Sequence, residues 1–314
     1  MTNFSNVLPQ LSDEKFLTDG GLETTLIFHE GYELPHFAAF DLLKDVKGTE
    51  TLKKYYRQYL DIAMEHRLGF ILESATWRAS ADWGEKLGYS KSGLKRMNQL
   101  AIQLLAEVKA EYTGSTGSIV ISGCIGPRGD GYNPSELMTV EEAEIYHADQ
   151  LDAFADSDVD MICAVTMTNI QEAIGICQAA TKRGLPIAIS FTVETDGKLP
   201  TGQPLRDAID SLDEVTNSTP VYYMINCAHP SHFEDVLNVG ENWVKRIRGI
   251  RANASTKSHA ELDEAEELDD GNPSELGNQY QQLKSVLSNL NVYGGCCGTD
   301  HRHIEKICVA CSQV

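Results

Sequence analysis

The chain alternates from end to end between short apolar runs and longer stretches whose apolar residues recur at every third or fourth position. Eight of the runs read as strands: Phe16–Asp19, Gly69–Ser74, Ser118–Cys124, Val159–Val165, Pro186–Thr192, Tyr222–Cys227, the weaker Ile247–Arg251, and the run through Val292 and Tyr293. Helical periodicity fills the intervals, over 49–68, Leu94–Tyr112, Thr139–Phe154, Ile170–Arg183, from about Pro204, over Tyr280–Leu290 and over His301–Ala310. Alternation of this kind predicts a parallel sheet with helices packed outside it. Eight units predict that the sheet closes into a (β/α)8 TIM barrel of the α/β class. A closed barrel gathers the C-terminal ends of all its strands around one mouth. An open doubly wound sheet would offer a switch-point crevice instead, with no way to bring the ends of the sixth and eighth strands together. At 314 residues the whole chain, 1–314, is expected to form one such domain.

The residues with chemistry cluster at strand exits. The stretch Asn291-Val-Tyr-Gly-Gly-Cys-Cys-Gly-Thr-Asp300 sets Cys296 and Cys297 side by side among glycines. Neighbouring side chains of a regular strand point to opposite faces, so both thiols reach one point only where the strand ends or bulges, which glycine permits. Cys227 ends another apolar run. Three thiols at two strand ends suit a metal site, with zinc the natural occupant and a fourth position left open. The same residues also read as buried small hydrophobes, or as a redox switch built on the Cys296–Cys297 pair. Asp19, which precedes Gly20 and Gly21, is either a carboxylate at the barrel mouth or a turn former.

Gly294-Gly-Cys-Cys-Gly-Thr299 followed by His303-Ile304, together with Asn226-Cys227 and Asp19-Gly20-Gly21, resembles the homocysteine S-methyltransferase family over about Leu17–Ile307. The resemblance implies a zinc-dependent barrel in which Cys227, Cys296 and Cys297 hold Zn2+ as thiolates. A substrate thiol would take the fourth position, lose its proton and attack a methyl sulfonium or quaternary ammonium. The implied acceptor is homocysteine, giving methionine, and the implied donors are S-methylmethionine, S-adenosylmethionine or betaine. Asp19, Gly20, Gly21, Glu23 and Asn226 would shape the substrate pocket, with Trp77 as an aromatic wall for a cationic donor. The partners are then small molecules only, a thiol and a methyl donor. The chain carries no cobalamin or folate domain and no dinucleotide fingerprint.

Two departures from the family bear on the acceptor. Relatives usually have tyrosine in the loop Thr76–Ser80, where this chain has Trp77 and Arg78. Arg78 pairs with an acidic group of a ligand or is solvated. Relatives also read Glu-Thr-x-x-Asn after the fourth strand, and their glutamate binds the substrate amino group. Here Val165 stands in its place, before Thr166 and Asn169. The loss of such a charge-assisted bond, about 1.5–3 kcal/mol, is enough to change which thiol is preferred. Glu23, Glu73 and Glu194 are candidate replacements. The alternative is transfer to or from another thiol or selenol on the same scaffold.

Other features read plainly. Gly126–Gly131 lacks the spacing of a phosphate loop and suits packing around the mouth. Glu142, Glu144, His147 and Asp152 read as a solvated helix face. His229 and His232 read as loop residues that do not bind metal directly, Cys124 as a core-facing residue rather than a ligand, and Cys308 and Cys311 as core or surface thiols. The acidic stretch Glu261–Asp270 reads as a solvated, mobile face, with a lid over the mouth as the alternative.

A net charge of −20 and a pI near 4.8 argue against nucleic acid or anionic membrane as partners. Met1–Pro9 lacks the basic and apolar regions of a leader, and no run of about 18 apolar residues exists. The eight cysteines therefore read as reduced thiols, metal ligands or core, not as a disulfide framework, and a cytoplasmic location is expected. Nothing in the sequence speaks to oligomeric state.

Overall fold

A computed structural model describes residues 8–114, 117–134, 137–237 and 240–312. The start of the stretch read as lacking a leader, up to Val7, lies outside the described residues. Eight parallel strands close a barrel in sequence order: β1 (Phe16–Leu17), β2 (Gly69–Glu73), β3 (Ile119–Ile125), β4 (Met161–Met167), β5 (Ile187–Phe191), β6 (Tyr223–Asn226), β7 (Ile247–Ala252) and β8 (Val292–Gly295). Closure is made by β1, which pairs with β2 on one side and β8 on the other. Every residue of β2, β4, β5, β6 and β8 is buried. A parallel sheet is covered on both faces, which is why these runs are apolar rather than alternating.

The long helices are α2 (Val46–Glu65), α4 (Lys91–Glu111), α5 (Val140–Ala155), α6 (Ile170–Lys182), α7 (Leu205–Thr216), α9 (Pro273–Val286) and α10 (His301–Ser312). Three short ones, α1 (Leu22–Thr24), α3 (Ala81–Lys86) and α8 (His259–Asp263), follow β1, β2 and β7. Local chemistry sets the starts. Asp45, Ser90 and Asn169 each accept a backbone N–H three residues on, and Thr139 with Glu142 closes a capping box. The expected helix Tyr280–Leu290 begins earlier, because Asn272 caps the N–H groups of Ser274 and Glu275 with Pro273 in the first turn. Among the described residues no helix is long and apolar enough to cross a membrane.

Two apolar layers result. Leu17, Phe70, Ile121, Ile162, Ile189 and Ile250 face the helices, while Phe16, Ile71, Val120, Met161, Tyr222 and Val292 fill the lumen. Leu8 plugs the lumen from the N-terminal side. The Asn291 amide donates to the carbonyls of Gln10 and Glu14, both at 2.9 Å, and ties that segment to β8. The floor is therefore closed and the C-terminal mouth is the open end. One expectation fails here. His147 is not on a solvated face but fully buried where α5 packs on α6, 2.9 Å from the Glu172 carboxylate.

Candidate metal and substrate site

Strands β6 and β8 deliver three sulfurs to one point at the mouth. The Sγ atoms of Cys227, Cys296 and Cys297 all lie within 4.8 Å of one another. Cys227 leaves β6 in the left-handed region at φ 53°, rare for a residue with a side chain. Its carbonyl is held by His259 Nε2 at 2.6 Å and Asn253 Nδ2 at 3.1 Å. Gly21 lets the β1 loop pass over the cysteine pair, since a Cβ there would sit 2.6 Å from the Cys296 carbonyl oxygen. Gly298 turns the chain after the pair at φ +78°.

The expectation of reduced thiols is corrected at this point. Cys227 and Cys296 are joined as a disulfide, with Cα atoms 5.3 Å apart. The pairing is also not the vicinal one expected of a redox switch. Adjacent Cα atoms lie about 3.8 Å apart, too close for the usual disulfide span of about 4.4–6.8 Å, whereas the ends of β6 and β8 fall within it. Cys297 lies beside the bridge and takes no part in it, and Cys124, Cys163, Cys177 and Cys311 are likewise outside any disulfide. Tyr132 places its hydroxyl 3.3 Å from the Cys297 sulfur and stacks on His259 with ring centroids 4.0 Å apart. Burial pushes the Cys297 thiol up, against the pull of that hydrogen bond.

The sulfurs open onto a cavity of about 360 Å³, within the range of small-molecule sites. Asp19, Gly20, Gly21, Glu23, Trp77 and Asn226 all line it. Their situations differ. Asp19 is buried and bound to Arg251 Nη2 at 2.6 Å and to the Tyr55 hydroxyl at 3.0 Å. Arg251 also pairs with Glu73, which accepts from Ser122. Burial pushes both carboxyls above their ordinary range, and the shared guanidinium pulls them back. Arg251 was invisible in the sequence, because a weak strand gave no phase to say that it points inward.

The Asn226 amide is engaged within the protein. Its oxygen accepts from Thr166 N at 2.9 Å and Ser190 Oγ at 2.6 Å, and its nitrogen donates to Thr166 Oγ1 at 2.8 Å. Trp77 stacks on Arg78, so the cation beside its ring is the protein's own. Of the candidate replacements at Val165, Glu73 is held by Arg251 and Glu194 lies 2.9 Å from His259 Nδ1. Glu23 lines the cavity, and burial raises its carboxyl to about 7. His259, the bridge between Glu194 and Cys227, was also missed. The capping box Ser258–Glu261 that starts α8 was its available signal.

The acidic stretch is not simply a solvated face. Leu262, Asp263, Ala265, Glu267, Leu268 and Asp269 line the cavity, so the segment covers the mouth. It is anchored there by Ser255 donating to Asp269 at 2.7 Å and by Arg302 reaching Asp270 at 2.7 Å. His229 and His232 turn away from the sulfurs, toward Ser231 and the Thr256 carbonyl.

The family model for homocysteine S-methyltransferase matches residues 16–311. Betaine--homocysteine S-methyltransferase 1 of Rattus norvegicus is 23% identical over 285 residues, covering 83% of this chain and 64% of that protein. The Bos taurus protein of the same name is 22% identical over 287 residues. The chain thus spans 64% of the length of the curated relatives it matches. The homocysteine methyltransferase MmuM of Escherichia coli, in its metallated form, superposes with a TM-score of 0.75 over 98% of this chain and 99% of that one at 19% identity. Its oxidized form superposes with a TM-score of 0.76. At this identity the superpositions speak for the shared barrel.

Proposed function

The chain belongs to the homocysteine S-methyltransferase family, and from that premise we propose that it transfers a methyl group from a cationic donor to a thiol held beside Cys227, Cys296 and Cys297, with zinc as the metal and homocysteine as the acceptor. The observation that carries this reading is the convergence of three sulfurs on the wall of a cavity at the mouth of the barrel. The three sulfurs all lie within 4.8 Å of one another, two of them because they are bonded, so Cys227, Cys296 and Cys297 would hold one ion together once that bond is opened. The all-sulfur donor set suits zinc, and the Cys227–Cys296 bridge must be reduced before it can serve. Zinc bound there supplies a positive centre that keeps a substrate sulfur deprotonated at neutral pH.

The protein's own groups do the rest. The methyl–sulfur bond forms as the bond from methyl to the donor's sulfonium or ammonium breaks. The bonding pair stays on the departing atom, which leaves as a neutral sulfide or amine and needs no general acid. What remains is alignment and exclusion of water. Glu23, Asp130, Asp263, Glu267 and Asp269 around the cavity favour a cationic donor. The segment over the mouth limits access by water. His259, through the Cys227 carbonyl, and Tyr132, against Cys297, orient the sulfur ligands.

Reduced, zinc-loaded protein given homocysteine with S-methylmethionine, S-adenosylmethionine or betaine should form methionine with at least one donor, and Cys296→Ser should form none. Absence of methionine with all three donors in zinc-loaded wild type would refute homocysteine as the acceptor.

A further inference from the structure

The charged groups lining the cavity fall into two kinds. Most are satisfied by the protein. Asp19, Glu73 and Arg251 form a closed ion-paired triad, Asp269 is held by Ser255, and Asp130 accepts the N–H groups of Tyr132 and Asn133. Two stand out. Arg78 is only 5% exposed, yet no carboxylate pairs with it among the described residues, and its Nε has no hydrogen-bond partner. Its guanidinium is stacked between the rings of Trp77 and Trp83, 3.9 and 4.0 Å from their centroids, and Nη1 donates to the Gly129 carbonyl at 2.8 Å. The group is therefore fixed in place, charged, and short of an anion. Glu23 lies on α1, immediately after the Gly20–Gly21 turn. Its carboxylate is reached by its own backbone N–H but by no ion pair or side-chain hydrogen bond among the described residues. Arg78 feels the charge of Asp130 first and of Glu23 next, and forms an ion pair with neither; Glu23 and Arg78 both line the same cavity as the three sulfurs.

A buried guanidinium without an anion is costly, and its planar fork matches a carboxylate. A carboxylate without a cation next to it calls for the opposite charge. One small ligand carries both groups on a single carbon. We propose that Glu23 and Arg78 are the two ends of a clamp for the α-ammonium and the α-carboxylate of an amino-acid substrate. Val165, buried on the same wall, provides no charge for either group. The clamp sets specificity by rejecting thiols that lack either end of the zwitterion, and it rests on the reading of this cavity as a thiol methyl-transfer site.

The test is calorimetric and does not depend on turnover. Reduced protein is titrated with L-methionine, with 4-(methylthio)butanoate, which lacks the ammonium, and with 3-(methylthio)propylamine, which lacks the carboxylate. Wild type should bind methionine at least about 10-fold more tightly than either analogue, the scale of one charge-assisted bond. Glu23→Gln should weaken methionine by about 10-fold or more while leaving 4-(methylthio)butanoate within about twofold. Arg78→Met should do the mirror image, sparing 3-(methylthio)propylamine. Arg78→Lys keeps the charge without the fork and should fall between, which guards against misfolding of Arg78→Met. Equal binding of all three compounds to wild type, no binding of methionine, or uniform weakening of all three by either substitution would overturn the clamp. Parallel titrations with homocysteine and S-methylmethionine identify the source, since the one weakened by Glu23→Gln is the clamped ligand; if neither is weakened, the clamp is refuted. Selective binding without methyl transfer would leave the clamp standing and remove the proposed reaction. Methyl transfer without selectivity would do the reverse.

Discussion

The side-chain oxygen of Asn226 accepts the backbone N–H of Thr166 at 2.9 Å, and its nitrogen returns a bond to the Thr166 hydroxyl at 2.8 Å. Thr166 sits at φ 61°, where the β4–β5 register shifts. A β-branched residue in that region is strained. Asn226 thus fastens the exit of β4 to the exit of β6, one residue before the first cysteine.

Asn226→Ala leaves buried partners at Thr166 and Ser190 unsatisfied and should cost about 2–4 kcal/mol in chemical denaturation. Adding Thr166→Gly should recover part of the loss, because glycine adopts the left-handed turn without strain. Strictly additive effects in that double-mutant cycle would show that the strain is not held by Asn226.

Arg251 neutralises two buried carboxylates at the ends of β1 and β2. Arg251→Met should destabilise by about 3–5 kcal/mol at pH 8. The sign of the pH effect is fixed by the direction of the carboxyl shifts. Asp19 and Glu73 are pushed above their ordinary range by burial, and further without the guanidinium. Their ionisation therefore costs stability as pH rises past the unfolded carboxyl value. The variant should be closer to wild type at pH 5 than at pH 8; denaturation curves at the two values decide.

Glu23 has a folded carboxyl near 7. Its raised value favours the neutral form, so stability falls as pH rises from the unfolded value toward 7. The carboxylate opens onto the cavity, which screens part of this, and Glu23→Gln should gain about 1–2 kcal/mol at pH 8 and nothing at pH 4. Melting temperatures across that range test it. A gain of equal size at both pH values would point to packing rather than charge.

Zinc uptake should require reduction of Cys227–Cys296. Oxidised protein is expected to bind none, and reduced protein about one ion per chain. Cys296→Ser and Cys297→Ser should each lose tight binding. His259→Ala should weaken it by about 10-fold, because it releases the Cys227 carbonyl without removing a ligand. Metal analysis after dialysis against a graded chelator reads all four proteins. Unchanged affinity in His259→Ala would mean that the Cys227 turn holds itself.

The sequence by itself determined what is local and periodic. Strand–helix alternation specified the closed barrel, because side-chain period follows from backbone geometry over a few residues. The cysteine pair among glycines was legible because it is one contiguous motif, and Cys227 because it ends an apolar run. Tertiary structure decided what depends on pairing across the barrel. Arg251 and Asp19 are 232 positions apart, and nothing near either one announces the other. The direction of Arg251 depends on β7, whose register against β6 shifts between Tyr223 and Met224, so its inward phase could not be counted from sequence. The acidic stretch had the composition of a solvated face, and its tertiary anchors, Ser255 and Arg302 among them, bring Leu262 and Leu268 over the mouth. Arg78 looked equally suited to solvent or to a ligand. Its burial between Trp77 and Trp83 is a property of the packed loops, because the free energy of a charge is set by the groups that surround it and not by its neighbours in the chain.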